Sequence, residues 1–110
     1  MLQGKIAVIT GASRGIGKAI AERFASAGAF VIINYNGSKE HAQEVKREIL
    51  EHGGNAEIMQ CNVADFAACE TFIKQIVDRY GRIDVLVNNS GITKDNLLLK
   101  MNTENVRGGL

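Results

Sequence analysis

The sequence predicts an α/β chain built on a doubly wound parallel sheet, and three observations carry that reading. Short apolar runs alternate with segments of helical period from one end to the other. A glycine-rich junction joins the first run to the first helical segment, and no proline, linker or low-complexity stretch divides the 110 residues. Such alternation is the pattern of successive βαβ units, whose crossovers stack helices on the faces of a parallel sheet. With 45% hydrophobic residues the chain can form one domain, burying on the order of 65% of its unfolded surface.

The first strand is expected at about residues 5–10, around Ile6-Ala7-Val8-Ile9. The helix after it starts near Arg14. Ile16, Ala19, Ile20, Phe24 and Ala27 are expected to form its inward face, with Gly28 ending it. Phe30-Val31-Ile32-Ile33 reads as the second strand. Ser38 is the expected N-cap of a second helix, whose Ala42, Val45 and Ile49 face inward and which Gly53-Gly54 closes. The third strand, about 56–61, is interrupted by Glu57 and Gln60, as an outer strand with one wetter face would be. Asp65 caps a third helix with a wide stripe of Phe66, Cys69, Phe72, Ile73, Ile76, Val77 and Tyr80, ended by Gly81. The fourth strand spans about 83–87. Beyond Gly91 the pattern weakens: Leu97, Leu98, Leu99 and Met101 suggest a turn of helix, and 102–110 read as a frayed tail. The expected strand order is 3-2-1-4, truncated before a fifth strand. Strand four would then be an open apolar edge through which the chain self-associates into a homo-oligomer.

Thirteen basic against twelve acidic side chains leave a formal net charge of +1, so no global field draws the chain to nucleic acid or to an anionic membrane. Anion binding must be local. Cys61 and Cys69 are too few for a disulfide framework and lack metal-ligand spacing, which points to reduced thiols and a cytoplasmic setting. The N-terminal residues carry no secretory pattern, and no apolar run approaches the ~20 residues of a membrane span. His41 and His52 sit on a charged helix with no acid or cysteine arranged around them, so no metal site is expected.

The local anion site is legible. Thr10-Gly11-Ala12-Ser13-Arg14-Gly15-Ile16-Gly17 follows an apolar strand and opens a helix. Glycines there leave backbone amides open to a pyrophosphate, which would sit at the positive end of the helix. This makes the expected fold Rossmann-type. The spacing Gly-x-x-x-Gly-x-Gly resembles that of the short-chain dehydrogenase/reductase family, as does Asn88-Asn89-Ser90-Gly91 after Asp84-Val85-Leu86-Val87. Within that family the wording of Thr10 to Gly17, together with Asn88 to Leu98, is most similar to the bacterial reductases of 3-oxoacyl-[acyl-carrier-protein] in fatty acid synthesis.

The resemblance implies a cofactor site made by Gly11, Ser13, Arg14, Gly15, Ile16 and Gly17 under the phosphates. Asn62 and Val63 would flank the adenine, and Asn88, Asn89, Ser90 and Gly91 would lie near the nicotinamide ribose. A carboxylate ending strand two would select NAD. Asn34-Tyr35-Asn36-Gly37-Ser38 offers none; Asn34 and Ser38 are counted in the expected cofactor site, and with Arg14, Ser38 and Lys39 nearby the expected cofactor is NADP(H). The partners implied are this dinucleotide and, for an intact enzyme, an acyl-carrier-protein thioester.

Family chemistry uses a Tyr-x-x-x-Lys pair on one helix. Tyr35 and Lys39 match the spacing but fall beside the adenine end, so the match reads as coincidence, and Tyr80 reads as packing. No catalytic residue is carried over; the family's Ser, Tyr and Lys would lie past residue 110. A reductase's cofactor half, inactive alone, and a non-catalytic nucleotide-binding or subunit-interaction module both remain open at this point. A flavodoxin-like domain ranks below them, because its phosphate loop would be richer in Ser and Thr.

Overall fold

The computed structural model describes residues 1–12, 15–89 and the backbone of 98–100. Over these residues the elements run β1 (Ile6–Ile9), α1 (Gly15–Ser26), β2 (Phe30–Tyr35), α2 (Lys39–Glu51), β3 (Asn55–Gln60), α3 (Phe66–Tyr80), β4 (Val85–Val87) and β5 (Leu98–Lys100). The sheet order is β3-β2-β1-β4-β5, and the first four strands are parallel. The doubly wound 3-2-1-4 arrangement is therefore present, with the central strand β1 buried on both faces.

Two expectations about strand four are corrected. The edge of β4 is not open: β5 pairs with it antiparallel, Val87 opposite Leu98 and Val85 opposite Lys100. The leucine run read as a turn of helix is a short strand over Leu98–Lys100. Short apolar runs do not distinguish the two states by period, and an apolar strand edge with unpaired backbone groups is a strong template for a following segment. The proposed self-association through that edge thus loses its basis. The tail at 102–110 lies outside the described residues.

Side-chain alternation along the strands divides the core in two. Ala7, Ile9, Val31 and Ile33 point toward α1 and α2 and pack with Ala21, Ala25, Ala42, Val45 and Ile49. Val8 and Ile32 point the other way, onto Phe72, Ile73, Ile76 and Val77 of α3. β3 is the wetter outer strand anticipated from Glu57 and Gln60.

The inward face of α1 differs from the expected one. Gly17, Ala21 and Ala25 are buried at four-residue steps, Ile20 and Phe24 flank them half-buried, Ala19 is exposed and Ile16 is 72% exposed. The small residues win because the helix lies close on the sheet. A Cβ on Gly17 would come within 2.3 Å of the Gly11 carbonyl oxygen and 2.7 Å of Asn89 Nδ2.

On α3, Asp65 accepts from the Ala68 amide and Gly81 takes the left-handed conformation at the C-cap, as anticipated. Phe66, counted in that helix's stripe, is 77% exposed in its first turn. The amino ends of β1 and β4 are clasped by Asp84. Its Oδ2 accepts from the Ile6 amide and from Arg82 Nε, both at 2.8 Å, while its own N–H donates to the Ile6 carbonyl. Arg82 also donates to the Gly4 carbonyl.

Candidate functional site

The carboxyl ends of β1, β2, β3 and β4 converge, and the strand order reverses between β1 and β4, which is where open α/β sheets present a ligand crevice. At that point β1 gives way to Thr10-Gly11-Ala12. Gly11 has φ +63° and Gly15, the first residue of α1, has φ +64°, a region costly for any side chain. Their surroundings differ. Around Gly15 no described residue lies within 4 Å of a would-be Cβ, so among the described residues there is open space over the start of α1. At Gly17 the space is already filled by the chain itself.

Sequence reasoning assigned all three glycines to ligand approach. Among the described residues the space beside Gly15 is open, while Gly17 is required for packing of the turn against Gly11 and Asn89. The open amides of a helix start, with the helix dipole behind them, suit a phosphate or another anion.

Thr10 fastens the turn to β4. Its N–H donates to the Val87 carbonyl, and its hydroxyl lies 3.3 Å from that carbonyl and 3.1 Å from Asn88 Oδ1. The same hydroxyl accepts from the Asn89 amide at 2.8 Å. Asn89 Nδ2 then donates to the Gly11 carbonyl at 3.3 Å. The two asparagines therefore act on the scaffold at the carboxyl end of β4. Thr10, 5% exposed, opens the glycine motif in the sequence, but its role in tying the turn to β4 carries no sequence signal.

Asn34 is placed differently from its expected position beside the cofactor. Its side chain turns inward at 1% exposure and bonds to the Gly11 amide and to the Met59 and Cys61 carbonyls. The residue that carries no acid to the ribose is thus part of the frame under the site, and Ser38 precedes α2 at the N-cap.

Just after β3 Asn62 is exposed, with Oδ1 accepting from the Ala64 amide, and Val63 packs half-buried against the α3 core. A cleft of about 340 Å³ opens there, lined by Gln60, Cys61, Asn62, Ala68, Thr71, Phe72 and Gln75. Burial pushes the Cys61 and Cys69 thiols up, with the Cys69 and Asp65 charges adding to the effect on Cys61. Both stay protonated and unreactive at neutral pH. Ile16 stands exposed on the first turn of α1. Ser13, Arg14, Ser90 and Gly91 lie outside the described residues.

A second cleft, about 290 Å³, lies between the far ends of α1 and α2. Its Glu48 is paired with Lys18 at 3.3 Å. Hydrogen bonding from Glu22, then from Lys18, holds the Glu48 carboxyl below the usual carboxylate range. It is a surface charge cluster remote from the glycine turn.

Tyr35 ends β2 and Lys39 begins α2, so the Tyr-x-x-x-Lys spacing spans two elements and presents no shared helix face. Tyr80 stacks on Phe30 with ring centroids 5.0 Å apart, under the Arg79 guanidinium. His41 and His52 are exposed. Among the described residues no cluster suited to a metal ion occurs, and no helix is long and apolar enough to cross a membrane.

Residues 5–108 match the family model described as short chain dehydrogenase. The chain is 50% identical over 101 residues to the 3-oxoacyl-[acyl-carrier-protein] reductase FabG of Staphylococcus aureus, covering 92% of this chain and 41% of that protein. It is 48% identical over 103 residues to the 3-oxoacyl-[acyl-carrier-protein] reductase of Synechocystis, covering 94% and 42%.

Among solved structures, a metagenomic short-chain oxidoreductase in complex with NADP superposes with a TM-score of 0.79 at 44% identity, covering 83% of this chain and 41% of that one. A short chain dehydrogenase from Burkholderia cenocepacia in complex with NADP gives 0.76 at 44% identity, covering 87% and 41%. The chain spans about two fifths of the length of the relatives it matches.

Proposed function

The chain belongs to the short chain dehydrogenase family, and from that premise we propose that its residues form the NADP(H)-holding part of an oxidoreductase whose substrate is a 3-oxoacyl thioester of an acyl carrier protein. The observation that carries this reading is the glycine turn at the carboxyl end of β1. There Gly15 leaves open space over the first turn of α1 among the described residues, and Gly17 holds that turn against Asn89 after β4. A dinucleotide pyrophosphate would rest on the amides of that helix start. Asn62 and Val63 would flank its adenine, and Asn88 and Asn89, with Ser90 and Gly91, would border the nicotinamide ribose.

Preference for the phosphorylated cofactor rests on the residues after β2. No carboxylate stands there to accept from a ribose 2′-hydroxyl or to repel a 2′-phosphate, while Arg14 and Ser38 offer donors. The substrate class rests on the relatives at about half identity.

When bound, the cofactor supplies a hydride to a carbonyl. The residues of this chain bind and orient it, and none of them is assigned proton donation. Fluorescence titration with NADPH and NADH, paired with an assay on an acetoacetyl thioester, tests the assignment. Binding that favours NADPH, with no turnover by the 110-residue chain, is the expected outcome. A preference for NADH would overturn the cofactor choice, and measurable reduction would overturn the division of labour.

A further inference from the structure

Asn34 is 1% exposed, yet its side chain spans three segments of the chain. Oδ1 accepts from the Gly11 amide at 3.4 Å. Nδ2 lies 3.2 Å from the Cys61 carbonyl, 3.4 Å from that of Met59 and 3.5 Å from that of Tyr35, so its hydrogens are shared among three acceptors. The main-chain carbonyl of Asn34 meanwhile accepts from the Ala12 amide at 3.3 Å. The orientation of the side-chain amide is fixed by these partners. Turned over, its NH₂ would face the Gly11 donor and its oxygen would face carbonyls.

A buried amide costs desolvation unless its groups are matched, and an apolar side chain of the same size would take this partner from the Gly11 amide and the Met59 and Cys61 carbonyls. What the amide adds is direction. β1 and β3 do not touch in the sheet, because β2 lies between them. Through Asn34 the turn leaving β1, at Gly11, is nonetheless tied to the end of β3, at Cys61, one residue before Asn62.

We propose, on the basis of the cofactor reading above, that Asn34 is a positioning residue that fixes the separation between the phosphate cradle at Gly11, Gly15 and Gly17 and the adenine edge at Asn62. One dinucleotide then engages both at once. Each half-site binds its own fragment weakly, and the gain from a joined ligand depends on the two being held at the span the ligand bridges.

The test uses Asn34→Leu and Asn34→Asp with three probes: NADP⁺, 2′-AMP for the adenine edge and inorganic pyrophosphate for the cradle. In folded Asn34→Leu, NADP⁺ affinity falls about tenfold while each fragment binds within about twofold of the unsubstituted chain. Asn34→Asp keeps the acceptor for Gly11 but sets a carboxylate against the Cys61 carbonyl at neutral pH. Burial raises such a carboxyl, so lowering the pH from about 8 to about 5.5 restores a donating hydroxyl. Its NADP⁺ affinity, taken relative to the unsubstituted chain at each pH, should recover over that window. The Cys61 thiol, pushed up by burial, stays neutral throughout.

Equal loss for all three probes without recovery at low pH would mean that Asn34 only supports the fold, and the proposal would fail. Unchanged NADP⁺ affinity in both folded variants would also sink it. Should the leucine variant not fold, the pH profile of Asn34→Asp decides alone. If the unsubstituted chain binds neither NADP⁺ nor the fragments, the cofactor reading itself falls.

Discussion

The face of the sheet under α1 and α2 is lined largely with alanine, at Ala7, Ala12, Ala21, Ala25, Ala29, Ala42 and Ala56, whereas the face under α3 is filled by Phe72, Ile73, Ile76, Val77 and Ile83. Both faces are buried, but they solve different problems. Beneath α3, bulk fills the gap between helix and sheet, and stability comes from apolar area removed from water. Beneath α1 the backbone itself approaches the sheet, with Gly17 packed against Gly11 and Asn89. That close approach brings the start of α1 to the carboxyl end of β1. Substitutions on the two faces should therefore separate stability from binding.

The largest stability effect is expected on the bulky face. Ile76 is fully buried, and Ile76→Ala should cost about 2–5 kcal/mol in denaturant unfolding through lost transfer energy and a residual cavity. NADPH affinity of the folded chain should be unchanged. A marked affinity loss would mean that the faces are coupled.

Gly17→Ala comes next. Its Cβ would meet a backbone oxygen that cannot move alone, at a cost of about 1–3 kcal/mol. Here NADPH binding should fall by more than the stability loss accounts for, because the turn is displaced with the clash. Titration of a sample shown by circular dichroism to be folded checks this.

Gly81→Ala sharpens the contrast at the other end of α3. Nothing lies within 4 Å of the added Cβ, so the penalty is the φ of +89° alone, about 1–2 kcal/mol in the melting curve, with binding untouched.

The smallest effect belongs to the thiols. Because burial raises them, the neutral form is favoured in the folded chain. Their contribution is complete below the ordinary thiol range of about 8.5 and is lost as the pH rises through the raised values. Urea midpoints from neutral to alkaline pH should fall less in a Cys61→Ala, Cys69→Ala double variant than in the unsubstituted chain.

The same contrast explains what could be read from the sequence. Strands β1 to β4, the three helices and the glycine junction were legible because each rests on a local pattern: apolar runs, a helical period, Asp65 and Gly81 at the helix ends. The orientation of α1 was not legible. Hydrophobic periodicity weights large side chains, so it chose Ile16 and Ala19, while contact was made through Gly17, Ala21 and Ala25. Asn34 was read for the charge it lacks; that its amide faces inward depends on β3 and the glycine turn, more than twenty residues away on either side. The pairing of Leu98–Lys100 with β4 likewise answers to an edge in three dimensions and not to the period of its own residues.

The clasp of Asp84 on Ile6 has a bearing on how the chain folds. β1 finds β2 across a short connection, Ile6 opposite Phe30, but its other neighbour arrives only after β2, β3 and three helices have been made, Ala7 opposite Val85. Closing so long a loop is the slow, entropically costly step of a parallel sheet. By fixing the register of β4 at its entry, the Arg82–Asp84 clasp determines where Asn88 and Asn89 emerge four and five residues after Asp84. Assembly of the chain and completion of its crevice are then one event, and a ligand that fills the crevice rewards the last contact to form.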